Sequence, residues 1–197
     1  GKVNVKVIHT PGHTLESSCF LLIDSKGNEE CIFTGDTIFL GDVGRPDLAV
    51  KEGVTELDLA GMLYDSVQKI LVYKDDLIIY PGHGAGSACG KNISGGDFCI
   101  LGNQRKKNYA LNTNLTREEF IEILTSNVPT PPQYFFYDAM LNKKGYEYID
   151  KVLEKSYKPL SLEQFRKYQD DPSIVLLDTR DLDVANKGFI PGSILIN

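Results

Sequence analysis

The chain has 197 residues, 42% of them hydrophobic and 24% charged, with a formal net charge of −6. That length suits one substantial domain plus part of another, and the composition is that of a globular chain able to bury a sizeable core. The acidic balance gives no electrostatic footprint for nucleic acid, and no apolar run approaches the ~20 residues that span a membrane. Four cysteines, Cys19, Cys31, Cys89 and Cys99, show no Cys-x-x-Cys spacing. Cys19 and Cys31 sit in apolar runs and are expected as buried small hydrophobes. No secretory signal is visible, which makes the cytoplasm the expected location. With no initiator Met, and with both ends inside strand-like sequence, the chain reads as a fragment or a processed product.

In chain order, residues 3–9 alternate as a half-buried strand does, and Thr10-Pro11-Gly12 forces a turn. Ser18 to Ile23 and Glu30 to Phe33 form two more strands joined by the hairpin signal Asp24-Ser25-Lys26-Gly27-Asn28. Residues 35–53 read as a long loop rich in Gly and Asp, of the kind that tends to be functional. Thr55 caps a helix whose Leu59, Leu63, Val67, Ile70 and Leu71 recur at helical spacing. Asp76 to Tyr80 is a short buried strand, 84–103 a second loop, and Thr116-x-x-Glu119 a capping box opening a helix through Leu124. After the stop at Val128-Pro129-Thr130-Pro131-Pro132, a tyrosine-rich helical stretch runs over about 134–154. A boundary is expected near residue 157. Beyond it come a short helix opened by Ser161-x-x-Gln164, the apolar run Ile174 to Leu177 suited to a buried parallel strand, and a last strand before Asn197. Strands, helix and strand ending in a candidate site predict an α/β layered domain.

Three apolar runs of this chain end in one design. Val3 to Ile8 leads into His9-Thr10-Pro11-Gly12-His13, Cys31-Ile32-Phe33 into Thr34-Gly35-Asp36, and Leu77 to Tyr80 into Pro81-Gly82-His83. All three histidines of the chain fall in these motifs. Imidazole and carboxylate are the usual ligands of zinc and non-haem iron, and a rigid strand followed by a glycine turn is a good mount for them. One such motif alone would read as a capped turn. Three of them predict a metal site.

The motifs His9-Thr-Pro-Gly-His13-Thr14, Thr-Gly-Asp36-Thr-Ile-Phe and Tyr-Pro-Gly-His83 resemble the later motifs of the metallo-β-lactamase fold, over residues 1 to about 155. The resemblance implies the C-terminal part of an αββα sandwich, with His13, Asp36 and His83 as metal residues and His9 outside the ligand set. The family's earlier His-x-His-x-Asp-His motif is absent from the chain, and by the resemblance would lie upstream of Gly1.

Gly41-Asp-Val-Gly-Arg45-Pro-Asp47 looks like the thiol-binding loop of persulfide dioxygenases, relatives of the glyoxalase II thioesterases. This likeness implies Fe(II) as cofactor, with Zn²⁺ the alternative. A low-molecular-weight thiol persulfide and O₂ would be the partners, with neither nucleic acid nor membrane, in a homo-oligomer. The products would be sulfite and thiol. In the dioxygenases His83 would not bind iron, whereas in a dinuclear zinc hydrolase it would be a ligand. Arg45 could grip an anionic group of the thiol carrier or form a salt bridge to Asp42 or Asp47. Cys89, six residues past His83 in the loop Gly84-Ala-Gly-Ser-Ala-Cys89-Gly, could relay sulfane sulfur if its pKa were lowered, or be structural.

Residues 158–197, through Leu176-Leu177-Asp178-Thr-Arg180 and Gly188-Phe189-Ile190-Pro191-Gly192, resemble the opening of a rhodanese-like α/β domain, with Phe189 where His is usual. The loop cysteine of rhodanese chemistry would follow Asn197. The whole pattern is most similar to bacterial metallo-β-lactamase–rhodanese fusion proteins. A zinc thioester hydrolase and a non-catalytic sulfur-binding module stand as the alternatives to the dioxygenase.

Overall fold

The computed structural model describes residues 2–50 and 53–196. Gly1, Lys51 and Glu52 of the predicted loop, and Asn197 of the predicted last strand lie outside the described residues. The chain divides into two compact units, 1–140 and 141–197. The expected boundary near 157 thus falls inside the second unit.

The first unit is built on a five-stranded sheet. Its strands are β1 (Asn4–His9), β2 (Ser18–Ile23), β3 (Glu29–Gly35), β6 (Ile78–Pro81) and β7 (Cys99–Ile100), hydrogen-bonded in the order β1-β2-β3-β6-β7. Only the β3–β6 pairing is parallel; the other neighbours are antiparallel. Between β3 and β6 the chain makes the small pair β4 (Ile38–Phe39) and β5 (Asp42–Val43), then helix α1 (Glu56–Ile70). The predicted loop 35–53 therefore contains a two-stranded ribbon. It also contains one 3₁₀ turn at Asp47–Ala49.

Helix α1 begins where its sequence dictates. Thr55 Oγ1 accepts from the Asp58 N–H while the Asp58 carboxylate accepts from the Thr55 N–H, a reciprocal capping box. Leu59, Leu63, Val67 and Ile70 are fully buried, each contributing on the order of 1.5–3 kcal/mol by leaving water. They meet the sheet face carried by Leu21, Ile32 and Ile79, which lie side by side across three strands. Helix α3 (Arg117–Thr125), capped by Thr116 and Glu119 as expected, adds Phe120 and Leu124 to this core. A short helix α2 (Leu101–Lys107), not foreseen in the sequence, follows β7 directly.

The opposite sheet face is open within this unit. Val7, Phe20 and Phe33 are register partners across β1, β2 and β3, and all three are exposed. The valine alternation of β1 was expected to point at a core; here it points away from the helices. Cys19 and Cys31 are buried as expected.

The tyrosine-rich stretch is two helices, α4 (Phe135–Lys144) and α5 (Ile149–Ser156), rather than one. Gly145, at φ +85°, takes the left-handed conformation that ends α4, and its N–H closes on the Leu141 carbonyl at 2.8 Å.

The second unit contains α5, α6 (Leu162–Gln169) opened by the Ser161–Gln164 capping box, β8 (Leu177–Asp178), α7 (Leu182–Ala185) and β9 (Ile194–Leu195). Strands β8 and β9 pair in parallel. The apolar run 174–177 yields a shorter strand than predicted, and Ile174, Val175 and Leu177 are exposed within the unit. No helix among the described residues is long and apolar enough to cross a membrane.

Candidate metal centre

Parallel pairing of β3 and β6 brings Asp36 and His83 to the same edge, because each follows the carboxyl end of its strand. The turn is fixed by the Gly82 N–H donating to the Gly35 carbonyl at 2.8 Å, with Gly35 at φ +51°. Strand β1 runs antiparallel to β2, so its own carboxyl end feeds the turn 10–13 toward this edge. Helix α1 holds that turn from below: Ser66 Oγ donates to the Pro11 carbonyl at 2.7 Å and Lys69 Nζ to the His9 carbonyl at 2.8 Å. Thr10 and Thr37 hydroxyls bond at 2.8 Å, tying the first motif to the second.

The three ligand-bearing motifs meet at one oxygen. Asp36 Oδ2 lies 3.2 Å from His13 Nε2 and 3.4 Å from His83 Nε2. His13 is nearly buried, and its Nδ1 is 2.9 Å from the Arg45 carbonyl. A carbonyl only accepts, so Nδ1 carries a proton and Nε2, the nitrogen facing Asp36, is the ring atom left for a metal. His83 is about half exposed, 45% for its side chain, and its ring packs against Phe39 at 5.9 Å between centroids. His9 is elsewhere, its Nε2 2.8 Å from the Leu15 carbonyl.

Cys89 joins the same cluster. Its Sγ, a His13 ring nitrogen and an Asp36 carboxylate oxygen lie within 4.8 Å of one another. Burial pushes the Asp36 carboxyl up, but the hydrogen bond and charge of His13, the charge of His83 and the Cys89 thiol together hold it below the ordinary carboxylate range. For Cys89 the balance is opposite: burial raises the thiol, Ser87 offsets part of this, and the Asp36 charge raises it further. In this geometry the thiol is held protonated, against the direction a sulfur relay requires.

Arg45 is 3% exposed and its guanidinium is fully engaged. Nε and Nη2 fork onto Asp47 at 2.7 Å each, Nη1 donates to the Ala88 carbonyl at 3.4 Å, and Nη2 also donates to the Pro129 carbonyl. The expected salt bridge thus forms with Asp47 rather than Asp42. Asp42 instead accepts the backbone N–H groups of Lys91 and Asn92 at 2.6 Å, fixing the loop after Cys89.

Two glycines also shape the site, beyond the roles that motif reading gave them. A Cβ on Gly44 would lie 2.0 Å from the Asp36 carbonyl and 2.8 Å from His13 Cβ; one on Gly82 would lie 2.7 Å from Asp36 Oδ1. Both are close-approach glycines, and only their position beside the ligands could have hinted at it. An imidazole, a carboxylate and a thiol within 4.8 Å of one another, with His83 reaching the Asp36 carboxylate from outside that trio, are the donor types of a zinc or non-haem iron centre. Fixing of one imidazole by a backbone carbonyl is the usual outer support for such a ligand.

The mixed α/β architecture is the metallo-β-lactamase fold. Along its whole length the chain matches the crystal structure of a metallo-β-lactamase from Staphylococcus aureus subsp. aureus COL, with a TM-score of 0.74 and 34% identity, covering 54% of that chain. No family model matches the chain. Among curated proteins, it is 33% identical over 127 residues to the hydroxyacylglutathione hydrolase of Pelagibacter ubique, spanning 64% of this chain and 44% of that protein. It is 37% identical over 91 residues to an uncharacterised protein of Mycobacterium tuberculosis H37Rv, spanning 46% of this chain and 38% of that one. The chain thus spans about half, or less, of the length of these relatives.

Proposed function

We propose that this chain carries part of the metal centre of a thioester hydrolase of glyoxalase II type, acting on an acyl group joined to a low-molecular-weight thiol. The observation that supports it is the position of both His13 Nε2 and His83 Nε2 against Asp36 Oδ2. In a hydrolase of this kind His83 would be a metal ligand, and its Nε2 lies 3.4 Å from Asp36 Oδ2. The match to hydroxyacylglutathione hydrolases supports the same substrate class.

His13, Asp36 and His83 would hold the metal, with further ligands supplied by sequence outside this chain. Zinc bound there supplies Lewis acidity and a nucleophile derived from water at neutral pH. The chain's own part is orientation. Arg45, through its carbonyl, keeps the His13 proton on Nδ1 and its Nε2 free to ligate. The Arg45–Asp47 fork stiffens the loop that carries this carbonyl. Half-exposed His83 would lie on the side open to a substrate.

A second reading, persulfide oxidation on Fe(II), is favoured by the departure of the Cys89 loop, Gly84-Ala-Gly-Ser-Ala-Cys89-Gly, from glyoxalase II sequence. In that reading residues 158–197 are the rhodanese-like start of a second sulfur-handling domain. The protein bearing this chain, loaded in turn with Zn²⁺ and Fe(II), decides between them. Hydrolysis of a hydroxyacyl thioester of glutathione, lost in His83→Ala, is the expected result. Persulfide-dependent O₂ uptake that survives His83→Ala but not His13→Ala or Asp36→Ala would establish the dioxygenase instead. Neither activity would leave a sulfur-binding module.

A further inference from the structure

The Cys89 thiol reaches the metal cluster by a different route from the other donors. His13, Asp36 and His83 follow strand ends, whereas Cys89 lies in an irregular loop whose position is set by a buried clamp. The Arg45 N–H donates to the Cys89 carbonyl at 2.9 Å, and its guanidinium to the Ala88 carbonyl. Asp42, fully buried, takes the Lys91 and Asn92 N–H groups. On its other side, the Arg45 carbonyl accepts the His13 ring proton. One buried residue therefore fixes both the orientation of His13 and the approach of Cys89.

The geometry of the cluster suits a cation. His13 Nδ1 donates to the Arg45 carbonyl, which leaves Nε2, 3.2 Å from Asp36 Oδ2, as the ring atom that can ligate. The thiol sulfur, a His13 ring nitrogen and an Asp36 carboxylate oxygen lie within 4.8 Å of one another. Metal–ligand bonds of about 2.0–2.3 Å put such a trio within reach of one ion after small side-chain movements.

We propose that Cys89 Sγ is itself a donor to the metal held by His13 and Asp36, giving the centre a mixed nitrogen, oxygen and sulfur ligand set. This rests on the metal-centre reading above and adds to it a soft donor from the 84–90 loop. On coordination the Cys89 S–H bond breaks, its proton passes to solvent, and the sulfur electron pair forms the bond to the metal. No electron is transferred, so no oxidant or reductant is required. A thiolate donor biases the centre toward zinc and iron and against magnesium or calcium.

Cobalt(II) titration of the full chain, followed by absorption spectroscopy, tests this without an activity assay. The expected result is ligand-field bands together with a sulfur-to-cobalt charge-transfer band in the near ultraviolet. That second band should be lost in Cys89→Ser and Cys89→Ala and kept in Cys99→Ser. Circular dichroism verifies that the variants fold. Alkylation of Cys89 in the Cys99→Ser background gives the same readout without replacing Cys89, since Cys19 and Cys31 are buried. Ligand-field bands with no charge-transfer band overturn the proposal and leave the metal centre standing. A charge-transfer band that survives loss or alkylation of Cys89 overturns it too. No cobalt binding at all overturns both.

Discussion

Asp36 and Asp42 lie six residues apart in one segment and occupy opposite environments. Asp42 is fully buried and saturated with donors: Val43 N–H at 2.8 Å and Tyr109 O–H at 3.1 Å on one oxygen, Lys91 and Asn92 N–H at 2.6 Å on the other. Burial and the Asp42 charge hold the Tyr109 phenol well above its ordinary range, so it stays protonated and keeps donating. Asp36 instead faces His13, His83 and Cys89, groups that themselves ligate metals. A carboxylate surrounded by protein donors is scaffold, because its charge is already satisfied. One that faces other metal-ligating side chains is where the proposed metal would bind.

Mutation should separate the two. Asp42→Ala strands three backbone N–H groups and the Tyr109 hydroxyl, and should cost on the order of 3–5 kcal/mol, read as a lower urea midpoint at unchanged slope. Asp36→Ala should change stability by no more than about 1 kcal/mol while abolishing retention of metal after desalting, measured by elemental analysis. Comparable destabilisation by both would break the contrast. Gly44→Ala should fall between them. Its new methyl group drives into the Asp36 carbonyl and His13 Cβ, so a loss of about 1–3 kcal/mol should accompany an at least roughly tenfold weaker hold on metal. Arg45→Lys keeps the charge but not the fork onto Asp47, and should lower stability by about 1–2 kcal/mol. An unchanged midpoint in that variant would show that the backbone of Arg45 alone holds the Cys89 loop.

Much of this was legible in the sequence because it is local. The Thr55 and Thr116 caps, the Asp24–Asn28 turn and the placing of His13, Asp36 and His83 at strand ends each follow from a few adjacent residues. What the sequence concealed depends on contacts between distant segments. Asp42 and Asp47 look equivalent as partners for Arg45 until the loop at Lys91 claims one of them. The close-packing roles of Gly44 and Gly82 exist only once β3 and β6 lie side by side. The valines of β1 show the same limit from the other direction. Alternation reveals that a strand has an apolar side, but not which layer that side meets; the helices chose Leu21, Ile32 and Ile79 instead. In the second unit, an apolar run at 174–177 was enough to predict a strand but not its burial, which requires a layer packed over it.

A third carboxylate, Asp178 in the second unit, sharpens the comparison at the smallest scale. Its partner is a permanent cation: Arg180 forks onto it at 2.9 and 2.6 Å, and the Arg180 N–H adds a third bond at 3.1 Å. Those hydrogen bonds lower the Asp178 pKa from its ordinary 3.8 to about 2. The sign follows from that depression. The pair's contribution to stability is fully present above the ordinary value and is lost as the pH falls through about 2. Carboxyl NMR titration should therefore place Asp178 near 2, and Arg180→Ala should return it toward 3.8. Asp36 is held down by groups that a metal would displace from their mutual contacts, so its titration should respond to added zinc. Asp178, whose partner is a permanent cation and no metal ligand, should titrate identically with and without it. A zinc-dependent shift at Asp178, or none at Asp36, would undo the distinction between a satisfied carboxylate and one that awaits a cation.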